Sequence, residues 1–189
     1  MLAIQIVLLL ASTAFGFITL ALLARFFMQW GRVSFRNPVG NFVIAVTDWV
    51  VMPFRRIIPG LFGLDMASLL PAWIAQALYA TVELALSGVP AGTLAAVPLF
   101  GLIGLARMAT YLVFFIVLAA AVLSWVGQHS PMTMVFDALA RPFLAPFRRL
   151  IRPFNGIDLS PLVLLVLLQI ILLVLNRMWL GTLALSPVS

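Results

Sequence analysis

Two pairs of residues carry the chain's strongest claim to chemistry because each recurs at one spacing: Asp65 with Asp158, and Gln76 with Gln169. Two carboxylates brought together can share a proton and act as an acid–base dyad. Each Asp, however, stands immediately before an apolar run, where a carboxylate caps free backbone N–H groups and complements a helix dipole. Capping is therefore the reading adopted for Asp65 and Asp158. The alternative is a contact with a nearby Arg that locks a connection to the helix start. The glutamines lie inside apolar runs, where an amide glues helices by hydrogen bonding; lining a polar path is the functional alternative. Glu83 with Arg107 or Arg177 reads as an ion pair near the ends of apolar helices.

The remaining inventory excludes more than it offers. There is no Cys, so disulfides, thiol nucleophiles and thiolate-bound metals are ruled out, and the single His, His129, cannot build a zinc site alone. No nucleophile–base–orienter set, phosphate-binding glycine loop or metal-ligand spacing is present. The expectation is a protein without enzyme activity, cofactor or metal.

The elements that must position these residues follow from composition. Of 189 residues, 65% are apolar and 8% charged, and the mean hydropathy is +1.22. A water-soluble fold would leave too much apolar surface wet. Four uncharged cores, Leu2 to Ala24, Met66 to Val82, Met108 to Gln128 and Leu159 to Asn176, each approach the roughly 20 residues that span a bilayer. The full spans are placed at 2–30, 66–86, 101–126 and 159–180. The first lacks a basic n-region and is too long for a signal-peptide core, so it is read as retained. Leu84 to Ala106 is uncharged but broken by Gly88, Pro90, Gly92, Pro98, Gly101 and Gly104. Its apolar remainder, Thr93 to Ala106, is read as the outer end of the third helix or as an interfacial segment.

A constant shift of 93 positions superposes Pro38 on Pro131, Pro53-Phe54-Arg55-Arg56 on Pro146-Phe147-Arg148-Arg149, Gly63 on Gly156, Asp65 on Asp158 and Gln76 on Gln169, without a gap. Compositional bias in an apolar chain would match Leu and Val, not Pro, Gly and Asp. The chain reads as a duplication, residues 1–92 and 93–189, each copy holding two spans. Copies with an even number of spans insert in the same direction, so the repeats are parallel.

All eleven basic residues are Arg, which fits either phosphate recognition through the planar guanidinium or the codon habit of a GC-rich genome. Nine of them, Arg25, Arg32, Arg36, Arg55, Arg56, Arg141, Arg148, Arg149 and Arg152, fall in the connections between spans one and two and between three and four. The positive-inside rule puts both connections in the cytoplasm and both termini outside. Trp30 and Trp125 then mark the inner interface and Trp179 the outer. Within the connections, Phe54, Ile57, Ile58 and Leu61, and Phe147, Leu150, Ile151 and Phe154, recur at helical spacing. Phe42, Val46 and Val50 pair with Val135, Leu139 and Phe143 after the helix starts Asn37-Pro38 and Ser130-Pro131. These segments read as amphipathic helices in the inner interface, with Arg55, Arg56, Arg148, Arg149 and Arg152 offered to lipid phosphates or a partner.

The doubled P-F-R-R, followed by G-L-D in the first copy and G-I-D in the second, resembles the signature of the YggT family of bacterial membrane proteins, whose relatives include the YlmG proteins. The resemblance covers nearly the whole chain. The copies read PFRRIIPGLFGLD and PFRRLIRPFNGID, so the second has an extra Arg and Asn155 where the first has Phe62. The resemblance implies an integral inner-membrane protein tied to osmotic or envelope stress tolerance, and in relatives to cell division, nucleoid distribution or assembly of photosynthetic complexes.

The expectation is thus an all-α membrane protein of four spanning helices, acting as a scaffold or assembly factor that contacts membrane lipids and other membrane proteins. Nucleic acid is not expected as a direct partner, and homo-oligomerisation stays open. The alternative function is a small transport or channel subunit with Gln76 and Gln169 along its path. Reporters fused after Arg56 and after Arg149 should register the cytoplasm, and fusions at Gly92 and at the C-terminus the outside. A cytoplasmic C-terminus in a stable fusion series would require an odd span count and end the parallel-repeat reading.

Overall fold

The architecture is that of a computed structural model describing residues 2–58, 65–88, 91–126, 130–151 and 158–184. Leu61, Gly63, His129, Arg152, Phe154 and Gly156, with the Trp125 side chain, lie outside the described residues. Six α-helices follow in order: α1 Leu2–Trp30, α2 Pro38–Ile57, α3 Met66–Leu86, α4 Val97–Val126, α5 Pro131–Leu150 and α6 Ser160–Ala184. A short 3-10 helix, Ala91–Ala96, leads into α4. Four helices, α1, α3, α4 and α6, are long and apolar enough to cross a membrane. They make this a multi-pass membrane protein.

The starts and stops have local causes. At α2 the Asn37 side chain accepts the Gly40 N–H at 2.9 Å, and at α5 the Ser130 hydroxyl accepts the Thr133 N–H at 3.2 Å; each helix then opens on Pro. A first-turn Pro fits because its missing N–H has no helical partner in any case. α1 closes with the Val33 N–H on the Met28 carbonyl at 2.8 Å, which drives Arg32 to φ 53°. That is the left-handed helix stop normally given to Gly.

The third span starts earlier than the placement at 101–126. α4 begins at Val97 and runs through Gly101 and Gly104. Pro98 lies in its first turn, where it breaks nothing, and both glycines lie against α3. A Cβ at Gly101 would stand 3.0 Å from the Ala77 backbone, and one at Gly104 would stand 2.7 Å from the Gln76 amide oxygen. The residues that read as breakers serve instead as a close-packing surface.

α4 touches all three other spanning helices: α3 packs between it and α1, and α6 lies on its far side. α2 lies across α1 and α3, and α5 across α4 and α6. One apolar cluster joins Met28, Val43, Val117, Leu139, Leu144 and Leu168, so it draws on α1, α2, α4, α5 and α6 together. Others gather Leu22, Leu23, Val51 and Ala72, and Ala80, Leu84, Phe100 and Trp179. Outside this core many large apolar side chains are exposed, among them Leu9, Leu10, Phe115, Leu162 and Leu173. A bilayer is the solvent that suits such a surface.

Replacing Gly101 by Leu should lower the thermal unfolding midpoint of the detergent-solubilised protein, by the equivalent of about 1–3 kcal/mol of overpacking. Gly92→Ala, which would meet nothing within 4 Å, should leave the midpoint unchanged.

Candidate functional site

The two Pro-Phe-Arg-Arg segments form the last turns of α2 and α5, and each sends its first Arg to the Asp ten residues on. Arg55 Nη2 donates to Asp65 Oδ2 at 3.0 Å and Arg148 Nε to Asp158 Oδ2 at 2.7 Å. Asp65 is buried, and its carboxylate also accepts the Ser68 hydroxyl at 2.7 Å; Arg55 reaches Gln29 Oε1 as well, at 3.0 Å. Asp65 stands at the N-cap position of α3, yet its side chain accepts no backbone N–H. The guanidinium and the hydroxyl fill the sites a cap would use, which corrects its assignment as a side-chain cap. Asp158, more exposed, does accept a backbone N–H, that of Ser160 at 2.9 Å. Partial burial pushes its carboxyl up, but the Ser160 hydrogen bonds and the Arg148 guanidinium outweigh this and hold it below its ordinary value.

These pairs change the role of two of the five arginines offered to lipid or a partner. Arg55 and Arg148 fasten an amphipathic helix to the start of the next span, while Arg56, Arg141 and Arg149 are exposed and carry no ion pair among the described residues. A charge-assisted bond of this kind is directional enough to fix the angle at which α2 or α5 leaves the bundle.

A further cluster escaped the sequence reading. Arg25, counted only as an inner-side charge, is buried, and its Nη1 donates to Thr47 Oγ1 at 2.8 Å and to Asp48 Oδ1 at 2.6 Å. The available signal was an Arg inside the apolar run of α1 with one Asp in the following helix. The shift of 93 converts Arg25 to Leu118 and Asp48 to Arg141. There, between α4, α5 and α6, the second half has a cavity of about 540 Å³ lined by Leu118, Asp137, Leu144, Arg148, Asp158, Leu162 and Gln169 among others.

The two glutamines part company. Gln76 is buried; its Nε2 donates to Thr19 Oγ1 at 3.0 Å, and its Oε1 packs against Gly104 without a hydrogen-bond partner. Gln169 was expected to face protein in the same way, but it is exposed. Two losses explain the difference: Thr19 becomes Leu112 under the shift, and no helix stands to α6 as α4 stands to α3. At the opposite ends of the spans, the expected ion pair of Glu83 with Arg107 or Arg177 does not form among the described residues. The Arg107 guanidinium lies 4.8 Å from the centre of the Trp179 ring, and Trp179 in turn packs edge-on against Phe100. Arg107 gains cation–π contact there and reaches Glu83 only through space; Glu83 is hydrogen-bonded by Tyr79 while its Oε2 has no partner, and Arg177 is exposed. Among the described residues no three His, Asp or Glu side chains gather as a metal site requires.

Among the described residues the arrangement holds helices together and leaves guanidinium groups exposed. The profile of the CCB3/YggT family matches residues 4–86, which run from α1 to α3, and residues 99–179, which run from α4 to α6. The chain belongs to the CCB3/YggT family. It is 39% identical to YggT of Escherichia coli K12 over 163 residues, 86% of this chain and 85% of that protein. It is 38% identical over 162 residues to a Vibrio alginolyticus protein from the proC 3′ region, covering 85% of this chain and 88% of the other. A Haemophilus influenzae relative is 33% identical over 165 residues, 87% of this chain and 86% of its own. No solved structure matches the chain.

Because the Asp158 carboxyl is held below its unfolded value, its contribution is present above the ordinary carboxylate range and is lost as pH falls through the folded-state value. The thermal midpoint of the wild type should exceed that of Asp158→Asn at neutral pH, and the gap should close in acid. A gap that persisted in acid would show that Arg148 does not act through the ionised carboxylate.

Proposed function

We propose that this YggT-family chain is a non-enzymatic scaffold or assembly factor of the bacterial inner membrane, with a duplicated Arg-bearing cytoplasmic face that contacts anionic lipid and a membrane-protein partner. Both termini lie outside in this reading, and α2 and α5 lie in the inner interface. The observation that carries it is the division of labour within each Arg pair. Arg55 and Arg148 are occupied by Asp65 and Asp158, which leaves Arg56 and Arg149 exposed at the same place in both halves. Apolar residues exposed on the same helices, Phe42, Trp49, Met52 and Ile57 on α2 and Met134 and Leu150 on α5, suit immersion at the acyl boundary. A link to envelope or osmotic stress or to cell division follows from such a role, since each depends on complexes held at the inner membrane.

The transport reading draws less support. Gln76 would have to line a path, but it is closed in by Thr19 and Gly104.

Replacing Arg56 and Arg149 by Gln should weaken binding of purified protein to soluble anionic-lipid nanodiscs, since each surface charge near an anionic leaflet contributes about 1 kcal/mol. The Arg55 and Arg148 pairs remain, so folding and membrane insertion should be unchanged. Unaltered lipid binding together with unaltered crosslinking to membrane partners would remove the Arg face from the function.

A further inference from the structure

We infer that α6 is a self-association surface: two copies of the chain pack their α6 helices in parallel, with Gln169 and Asn176 of one copy hydrogen-bonded to the same residues of the other. Gln169 and Asn176 are exposed on a helix that is otherwise apolar from Leu162 to Val174, and neither side-chain amide has a hydrogen-bond partner among the described residues. An amide facing hydrocarbon loses its bonds to water and gains none in return, so a membrane helix that carries one turns it toward another helix. Gln76 does this within the chain. Gln169 lies at the edge of the cavity between α4, α5 and α6, and Asn176 two turns beyond it, and among the described residues no neighbouring helix offers either amide a hydrogen bond.

The spacing and the chemistry select the occupant. Seven residues separate the two amides, which keeps both on the seam of a left-handed helix pair. Leu162, Val166 and Leu173, all exposed, complete the same stripe. Copies of one chain insert in one direction, so the axis relating two of them runs along the membrane normal and brings every α6 residue opposite its own counterpart at the same depth. Such an arrangement suits groups that complement themselves. A primary amide donates and accepts, so Gln pairs with Gln and Asn with Asn, whereas carboxylates or guanidinium groups at these positions would repel. Arg177 lies about 100° around the helix from Asn176, at the flank of the seam and not in it. The surface is on α6 and does not involve Arg56 or Arg149, so it stands apart from the lipid-binding reading.

The natural sequence has no Cys, so a single introduced Cys can form only an intermolecular disulfide. The full chain would be reconstituted in vesicles of phosphatidylethanolamine and phosphatidylglycerol and oxidised. Leu162→Cys and Leu173→Cys should give disulfide-linked dimers, while Leu167→Cys and Val174→Cys, exposed on the far side of α6, should give few. Adding Gln169→Leu and Asn176→Leu should weaken association by at least about tenfold, read as the loss of energy transfer between labelled copies on dilution with lipid. These changes make α6 more apolar, so insertion is retained. Equal crosslinking at all four positions, association undiminished by the Leu changes, or a monomer at every dilution would overturn the inference. So would oxidation in native membranes that joined the α6 cysteines only to a different protein.

Discussion

Hydrocarbon offers a polar group no water, and in this chain the positions of a few polar side chains decide how the helices meet. Arg25 in the apolar α1 requires both Thr47 and Asp48 from α2, so α2 must return across α1 with those residues turned inward. Gln76 requires Thr19, which fixes the rotation of α3 against α1. A Cβ at position 104 of α4 would stand 2.7 Å from the Gln76 amide oxygen, so glycine there lets that amide keep its place. Apolar packing alone would tolerate several rotations of each helix, because one Leu-rich face resembles another to lipid and to protein alike.

The Arg–Asp pairs extend the same logic to the ends of the helices. An amphipathic helix gains only a modest hold from its apolar face. Tying Arg55 to Asp65 and Arg148 to Asp158 joins the end of each amphipathic helix to the start of the next span. The neighbouring Arg in each pair is freed for other contacts. The two halves do this with different burial: Asp65 is enclosed with Ser68, whereas the more exposed Asp158 lines the cavity shared with Leu118 and Gln169.

That inequality runs through the second half. Where the first half has Arg25, Asp48 and Thr19, the shifted positions hold Leu118, Arg141 and Leu112, and the polar bonds that close the first half are missing from the second. α3 is covered on two sides, by α1 and α4, while among the described residues α6 packs mainly on α4. The less enclosed helix is the one that carries two unsatisfied amides.

By itself the sequence determined the number of spanning helices, the Asn37-Pro38 and Ser130-Pro131 helix starts, the amphipathic segments and the family. Each of these depends on local composition, on a cap of a few residues or on a repeated motif, and such signals survive without knowledge of what packs where. Only the tertiary structure decided that Gly101 and Gly104 continue a helix, since a glycine that breaks an isolated helix and one that admits a neighbour are the same residue. It decided that Asp65 bonds to Arg55 in place of backbone N–H groups, and that Arg107 comes to lie over the Trp179 ring. It also separated Gln76 from Gln169, which the constant spacing had made equivalent. A side chain's partner is set by which helix comes to lie beside it, and the substitutions that decided this, Thr19 to Leu112 and Arg25 to Leu118, lie outside the repeated motif on a different helix.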